Sequence, residues 1–210
     1  MSDKSLSIII PVYNEAKCIA KTVNTLKSVL LDSDIEHEII IIDDGSTDKS
    51  GLIIEEMTGV ILLKHPTNKG YGASIKTGLS RSKYENICIT DADGTYPLDK
   101  IPCLLEKIGD NDMVVGARIG SGVDYSWIRS IPKFFLRHYV NFITSSSVPD
   151  INSGLRIFDK GKAKQFYKLY PDGFSLTTTI TIAFITSGYT ILYEPISYKK
   201  RVGKSKIQPI

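Results

Sequence analysis

The feature that most constrains this chain is its alternation of short Ile- and Val-rich runs with helical patterns. The runs lie at 6–10, 38–42, 60–63, 86–90 and 113–115. Several are apolar without alternation, as strands covered on both faces are. Between them, Ile19, Val23, Leu26 and Leu30 share one helical face, and Ile101, Leu104, Leu105 and Ile108 share another after Pro97. The pattern predicts an α/β fold with a mostly parallel sheet and helices on both faces. The second half is less regular. Residues 116–126 read as a Gly- and Ser-containing loop, 127–144 as a helix-like run, 160–170 as a helix and 190–198 as a final strand. With 210 residues, no repeat and no linker, the chain reads as a single domain over 1–210.

In such a sheet, ligands bind beyond the carboxyl ends of the strands. The segments after each run are therefore the places to look. They hold Pro11-Val12-Tyr13-Asn14-Glu15, then Asp43-Asp44-Gly45-Ser46-Thr47-Asp48, then Asp91-Ala92-Asp93-Gly94, then Gly116-Ala117-Arg118. Asp91 and Asp93 bring hard anionic oxygens into one small space, where their repulsion would raise one pKa unless a cation relieved it. Mg²⁺ or Mn²⁺ suits such ligands and rests on one or two carboxylates plus substrate phosphates. Helix capping by Asp93 or Thr95 is the plainer alternative. The Asp43–Asp48 run has the same two readings: Ser46 or Thr47 as a cap, or Asp44 as an acceptor for a base or ribose. Pro11 and Tyr13 are candidates to stack a base, with Glu15 nearby. The Gly-rich stretch 68–72 lacks the full dinucleotide and P-loop patterns and does not follow the first strand, so neither reading applies.

Charge and cysteine content narrow the classes further. A formal net charge of +3 gives no sign of a nucleic-acid partner. Lys199, Lys200, Arg201, Lys204 and Lys206 crowd the last dozen residues, either as a solvated tail or as a site for anions or anionic lipid. Cys18, Cys88 and Cys103 form no CxxC pattern, so neither a disulfide scaffold nor a zinc cage is expected. His37, His65 and His138 suggest no chemistry. The start lacks the layout of a secretory leader and no run approaches the ~20 apolar residues of a membrane span, so the expected location is the cytoplasm.

Taken in order, Pro11-Val12-Tyr13-Asn14-Glu15, IIIIDDGSTD, NKGYGASIKTG and DADG resemble the family 2 glycosyltransferases of GT-A fold. Gly116-Ala117-Arg118, Trp127 with Arg129, Asp150-x-Asn152-Ser153-Gly154-Leu155-Arg156, and 194–206 are similar to polyprenyl-phosphate sugar transferases of the dolichyl-phosphate mannosyltransferase type. The resemblance implies a Rossmann-like GT-A domain that uses a nucleotide sugar of the GDP-mannose or UDP-glucose type, with Mg²⁺ or Mn²⁺. It implies that Pro11, Tyr13, Glu15, Ile42 and Asp44 hold the nucleoside, that Asp91 and Ala92 line the nucleotide-sugar site, and that Asp93, with Asp91, binds the metal. Arg118, Arg201 and Lys206 would bind phosphates of donor or acceptor. Where many relatives carry Gln or His two residues beyond the second aspartate, this chain has Thr95, and its tail is one residue shorter than some between Arg201 and Ser205.

On that resemblance the expected reaction is inverting displacement at the anomeric carbon. A polyprenyl monophosphate acceptor is largely a dianion at neutral pH and needs little help from a base. Arg118, Arg129, Arg201 and Lys206 would hold it, since two phosphate-bearing substrates must be brought together. Asp150 is a candidate base or organiser of the acceptor site, or simply a turn residue. It would matter more if the acceptor were a sugar hydroxyl in polysaccharide synthesis, which is the alternative enzyme reading. A silent nucleotide-binding module is the non-enzymatic one. Many relatives continue into amphipathic or transmembrane helices, which leaves three alternatives: a missing C-terminal membrane segment, an anchoring partner chain, or an acceptor that is not a lipid; the expected place of the enzyme is peripheral, at the cytoplasmic face of a membrane.

Overall fold

The computed structural model describes residues 4–119 and 148–199. Seven strands, β1 (Ser5–Val12), β2 (Glu36–Asp43), β3 (Ile61–Lys64), β4 (Asn86–Ile89), β5 (Met113–Ala117), β6 (Arg156–Asp159) and β7 (Ile191–Pro195), form one sheet in the order β3-β2-β1-β4-β6-β5-β7. Neighbours pair in parallel except β6, which is antiparallel to both β4 and β5. The helices are α1 (Ile19–Leu31), α2 (Ser50–Glu55), α3 (Tyr71–Arg81), α4 (Ile101–Glu106), α5 (Lys160–Gln165) and α6 (Leu176–Thr186).

Strand periodicity sorts the core into two layers, because successive side chains point to opposite faces. Ile8, Ile10, Ile39, Ile41, Cys88 and Val114 pack on one face with Ile19, Val23 and Leu26 of α1 and Leu104 of α4. Ile9, Ile40, Ile42, Ile87, Ile89 and Val115 pack on the other with Ile75 and Leu79 of α3 and Ile180 and Phe184 of α6. This two-sided burial explains the near-continuous apolar runs of β1 and β2.

The second half departs from the sequence expectation at three places. The helix expected over 160–170 ends at Gln165 and continues as a 3-10 turn, Tyr167–Leu169. Pro171 biases Tyr170 to extended backbone (φ −74°, ψ 119°), and the buried Tyr170 hydroxyl donates to the Ala163 carbonyl at 2.8 Å. The final strand is shorter than 190–198, since its pairing with β5 ends at Ala117 and Pro195. Between these, α6 buries Thr177 and Thr181 beside Leu176, Ile180 and Phe184. Its buried threonines bond back to preceding carbonyls, Thr177 Oγ1 to Phe174 at 3.3 Å and Thr181 Oγ1 to Thr177 at 2.8 Å, while Thr178 Oγ1 donates to Asn152 Oδ1 at 2.7 Å. The loop and helix expected over 120–144 lie outside the described residues. No helix among the described residues is long and apolar enough to cross a membrane.

Candidate active site

Because β1, β2, β4 and β5 run the same way, the loops after them meet at one edge. The antiparallel β6 begins at that edge, so the segment 150–154 before it arrives there as well. Five separate motifs thereby converge.

Asn14 joins the first two loops. It holds a left-handed backbone (φ 55°), tolerated by asparagine better than by most residues. Its Oδ1 accepts from the Thr47 and Asp48 amides at 2.7 and 3.1 Å, and its own amide donates to Ser46 Oγ at 3.0 Å. The Glu15 amide donates to Ser50 Oγ at 2.7 Å. Of the two readings of this loop, the cap does not apply: the N-cap of α2 is Lys49, not Ser46 or Thr47.

Asp44 is buried and ties the second loop to the third. Its Oδ1 accepts from the Lys69 amide at 2.9 Å and faces His65 Nδ1 at 2.6 Å, while Oδ2 accepts from the Gly70 amide at 2.8 Å. His65 Nε2 meets Thr77 Oγ1 at 2.9 Å. His65 was given no role from the sequence, yet it directly follows β3, where the edge rule that selected the other loops also applies. Pro11 lies opposite Ile42 in the β1–β2 pairing, and the Ile42 side chain is wholly buried in the sheet layer. Tyr13 and Glu15 are half-buried in the loop between β1 and α1.

The Asp91-Ala92-Asp93 turn follows β4. Asp93 Oδ1 accepts from the Thr95 amide at 3.1 Å and from the Thr95 hydroxyl at 2.7 Å, a local turn that fixes the carboxylate. The following 3-10 turn and α4 have Pro97 and Lys100 at their N-caps, so neither Asp93 nor Thr95 occupies a capping position. Thr22 of α1 holds the Ala92 carbonyl at 2.9 Å. Asp91 meets the 150–154 segment. A Cβ on Gly154 would lie 2.8 Å from Asp91 Oδ1, so a larger residue there would displace the Asp91 carboxylate. Tyr96 seals the same junction, accepting from the Gly154 amide at 2.6 Å.

Arg118 and Asp150 form a two-pronged ion pair. Asp150 Oδ2 accepts from Arg118 Nε at 2.8 Å and from the Arg118 amide at 2.9 Å, and Oδ1 accepts from Nη2 at 2.8 Å and from the Asn152 amide at 3.2 Å. Burial alone opposes ionisation of Asp150, but the Arg118 guanidinium and these N–H donors outweigh it and hold its carboxyl below the ordinary value. Such a carboxylate is a poor base and a good anchor. Its depressed pKa contributes stability that is present above the unfolded value of about 3.9 and lost as pH falls through the lower folded value. Acid unfolding should therefore show Asp150→Asn losing less stability than the parent as pH falls below about 4. Parallel curves would remove the ion pair from the acid transition.

Arg156 braces the 150–154 segment from behind. It is wholly buried, donating from Nε and Nη2 to the Ser153 carbonyl at 3.1 and 2.5 Å, and from Nη1 to the Thr177 carbonyl and Thr181 Oγ1, both at 3.0 Å. The buried threonines of α6 thus serve the site's scaffold. Arg118 also lies over the Tyr198 ring, its Cζ 5.2 Å from the ring centroid. The Lys199 amide donates to the Thr95 carbonyl at 3.0 Å, so the basic tail starts beside the Asp93 turn. Arg129, Arg201 and Lys206 lie outside the described residues.

A family model described as "Glycosyl transferase family 2" matches residues 7–166. The chain belongs to glycosyl transferase family 2. It is a glycosyltransferase with a GT-A-type α/β sheet. It is 33% identical over 189 residues to a UDP-N-acetylglucosamine–dolichyl-phosphate N-acetylglucosaminyltransferase of Methanococcus voltae, covering 78% of this chain and 73% of the relative. It is 26% identical to the low-salt glycan biosynthesis hexosyltransferase Agl6 of Haloferax volcanii across 97% of this chain, and spans half the length of that relative. Glucosyl-3-phosphoglycerate synthase from Mycobacterium tuberculosis, solved with Mn²⁺, UDP and phosphoglyceric acid, shares the fold of this transferase. The TM-score is 0.76 at 16% identity, over 96% of this chain and 72% of that one.

Among the described residues, no group of three or more His, Cys, Asp or Glu side chains gathers as a protein-only metal cage. The donor chemistry suits a different kind of ion. Mg²⁺ and Mn²⁺ take oxygen ligands and complete their shells with substrate phosphate and water, which the Asp91–Asp93 turn permits.

Proposed function

We propose that this transferase moves a hexose from a nucleotide sugar to a polyprenyl phosphate, with inversion at the anomeric carbon. Pro11, Tyr13, Glu15, Ile42 and Asp44 are assigned to the nucleoside pocket, and Asp91, Ala92 and Asp93 to the sugar–diphosphate. Asp93, with Asp91, is assigned to hold Mg²⁺ or Mn²⁺, which when bound offsets charge on the leaving diphosphate.

The observation that carries the acceptor assignment is the Arg118–Asp150 pair. A hydroxyl acceptor must lose a proton and needs a base. Asp150, the carboxylate singled out for that task, is instead bound by four N–H donors and kept acidic. A phosphate acceptor arrives as an anion and requires positioning and charge balance. Arg118, fixed in orientation by Asp150, is assigned to that task with Arg129, Arg201 and Lys206 of the flanking segments. Dolichyl phosphate in the name of the Methanococcus relative supports the same acceptor class. Because such a lipid stays in a bilayer, the site of action is proposed to be peripheral, at the cytoplasmic face of a membrane. An anchoring partner chain or a further membrane segment would hold the enzyme there.

Arg201→Ala is expected to raise KM for a polyprenyl phosphate by about tenfold or more, as loss of a charge-assisted contact worth about 1.5–3 kcal/mol predicts, with little change in KM for the donor. Steady-state kinetics with each substrate varied in turn tests this. Unchanged acceptor kinetics would remove the basic tail from the acceptor site.

A further inference from the structure

β7 pairs with β5 only as far as Pro195, yet the residues just beyond it are held at the candidate site. The Ile196 amide donates to the Ala117 carbonyl at 2.9 Å, and the Lys199 amide donates to the Thr95 carbonyl at 3.0 Å. Between these two anchors lies Tyr198, which is half-buried. Its ring stands edge-on to Tyr96, with centroids 5.2 Å apart, and the Arg118 guanidinium lies over its face, with Cζ 5.2 Å from the centroid. Tyr96 accepts from the Gly154 amide beside Asp91, and Thr95 bonds Asp93. Tyr198 thus sits where the Asp91–Asp93 turn meets the Arg118–Asp150 pair.

The contact with Arg118 is the one that packing does not require. Tyr198 borders the core layer that holds Tyr96, Leu155 and Ile196, where an aliphatic side chain would pack as well. A guanidinium, however, distinguishes an aromatic face from an aliphatic one. Asp150 grips Arg118 along its Nε–Nη2 edge, which fixes the guanidinium within its own plane. A ring against the face restrains the tilt of that plane. It does so without using any of the N–H groups with which a guanidinium grasps a phosphate. The Arg118 side chain keeps 11% of its surface in solvent, so it is not sealed away from a ligand.

We propose that Tyr198 is a positioning residue for the acceptor: its ring sets the tilt of the Arg118 guanidinium, which Asp150 holds by the edge, so that Arg118 meets the acceptor phosphate. This role rests on the phosphate-acceptor reading above and adds a residue that acts through Arg118 without touching the phosphate itself. The ring carries it, not the hydroxyl, because the attraction between a cation and an aromatic face comes from the π-system.

The test compares the full chain with Tyr198→Phe, which keeps the ring, and Tyr198→Leu, which keeps only apolar bulk. A short-chain polyprenyl monophosphate and the donor are varied in turn with Mn²⁺ present, the donor being whichever of UDP-glucose, UDP-N-acetylglucosamine and GDP-mannose the parent turns over. The expected result for Leu is an acceptor KM raised about five- to tenfold, with kcat and donor KM within about twofold of the parent. Phe is expected to stay within about twofold of the parent throughout. In the Arg118→Met, Asp150→Asn background, Tyr198→Leu is expected to change acceptor KM by less than about twofold further, because its effect passes through Arg118. An unchanged acceptor KM in Leu would overturn the proposal. So would a loss shared equally by donor and acceptor, or one that persists in full without Arg118, either of which would reduce Tyr198 to packing. A loss in Phe equal to that in Leu would overturn it too, by placing the effect on the hydroxyl. If the parent transfers from none of the three donors to the lipid, the acceptor reading itself fails and takes this role with it.

Discussion

Asp93→Ala is expected to lower sugar transfer by about 10³-fold or more while leaving the protein folded. Loss of a metal ligand that offsets several kcal/mol of developing diphosphate charge predicts a factor of that order, at about 1.4 kcal/mol per tenfold. The cost to the fold should be smaller. Asp93 Oδ1 accepts from the Thr95 amide and hydroxyl, and the Thr95 carbonyl keeps its separate bond from Lys199. A loss of about 1–3 kcal/mol is expected from the unpaired Thr95 donors. Asp93→Asn retains an acceptor for Thr95 but presents a weaker metal ligand. It should therefore unfold close to the parent temperature and still be inactive. Rates and thermal unfolding of both variants, across a Mn²⁺ titration, test this. Asn at full activity would remove the metal role, and Asn as unstable as Ala would mean that Thr95 does not account for the cost.

The largest expected effect on stability is at Arg118. Replacing it with Met leaves the Asp150 carboxylate buried without its countercharge, which predicts a loss of about 3–5 kcal/mol. Adding Asp150→Asn to the same chain should recover much of that, since a neutral amide tolerates burial better than a lone carboxylate. The double-mutant cycle separates the coupling from the individual losses. Denaturant unfolding of the parent, both single variants and the double variant gives these four values. Additive losses would show that the pair is not coupled. The same set tests function: if Arg118 positions an acceptor phosphate, the double variant should regain stability without regaining acceptor affinity.

The strands were readable because they are covered on both faces. β1, β2 and β4 carry near-continuous Ile, and such runs have few other uses in a globular chain. The edge rule then located Asp44, Asp91, Asp93 and Arg118 before any coordinates, because strand direction follows from the alternation with helices. What escaped reading has a common cause: its burial is polar. β6 is only four residues long and begins with Arg156, a residue that patterning places on the surface. Arg156 can be buried there because the Ser153 and Thr177 carbonyls and Thr181 take up its donors, and those partners are distant in sequence. α6 was hidden likewise, since its buried threonines look like interruptions until their back-bonds are seen. His65 is not legible in the sequence because a lone histidine carries no motif, and its contact with Asp44 exists only in three dimensions.

The Asp93 turn and the Asp150 pair also show how a plain alternative can be separated from a functional one. An aspartate near a helix start is often a cap, but here the N-cap positions of the 3-10 turn and α4 are Pro97 and Lys100. Asp150 does form the turn bond to Asn152, and the Arg118 bonds are added to it. A turn role and a site role are compatible in that residue.

The most direct test of the central claim is transfer itself. The purified chain, with Mn²⁺ and a radiolabelled nucleotide sugar from the UDP and GDP panel, is incubated with a short-chain polyprenyl monophosphate in detergent. The predicted result is label in a lipid product that mild acid releases as free sugar, lost in Asp93→Asn. Label passing instead to a sugar hydroxyl acceptor, with none in lipid while the nucleotide sugar is bound, would contradict the account.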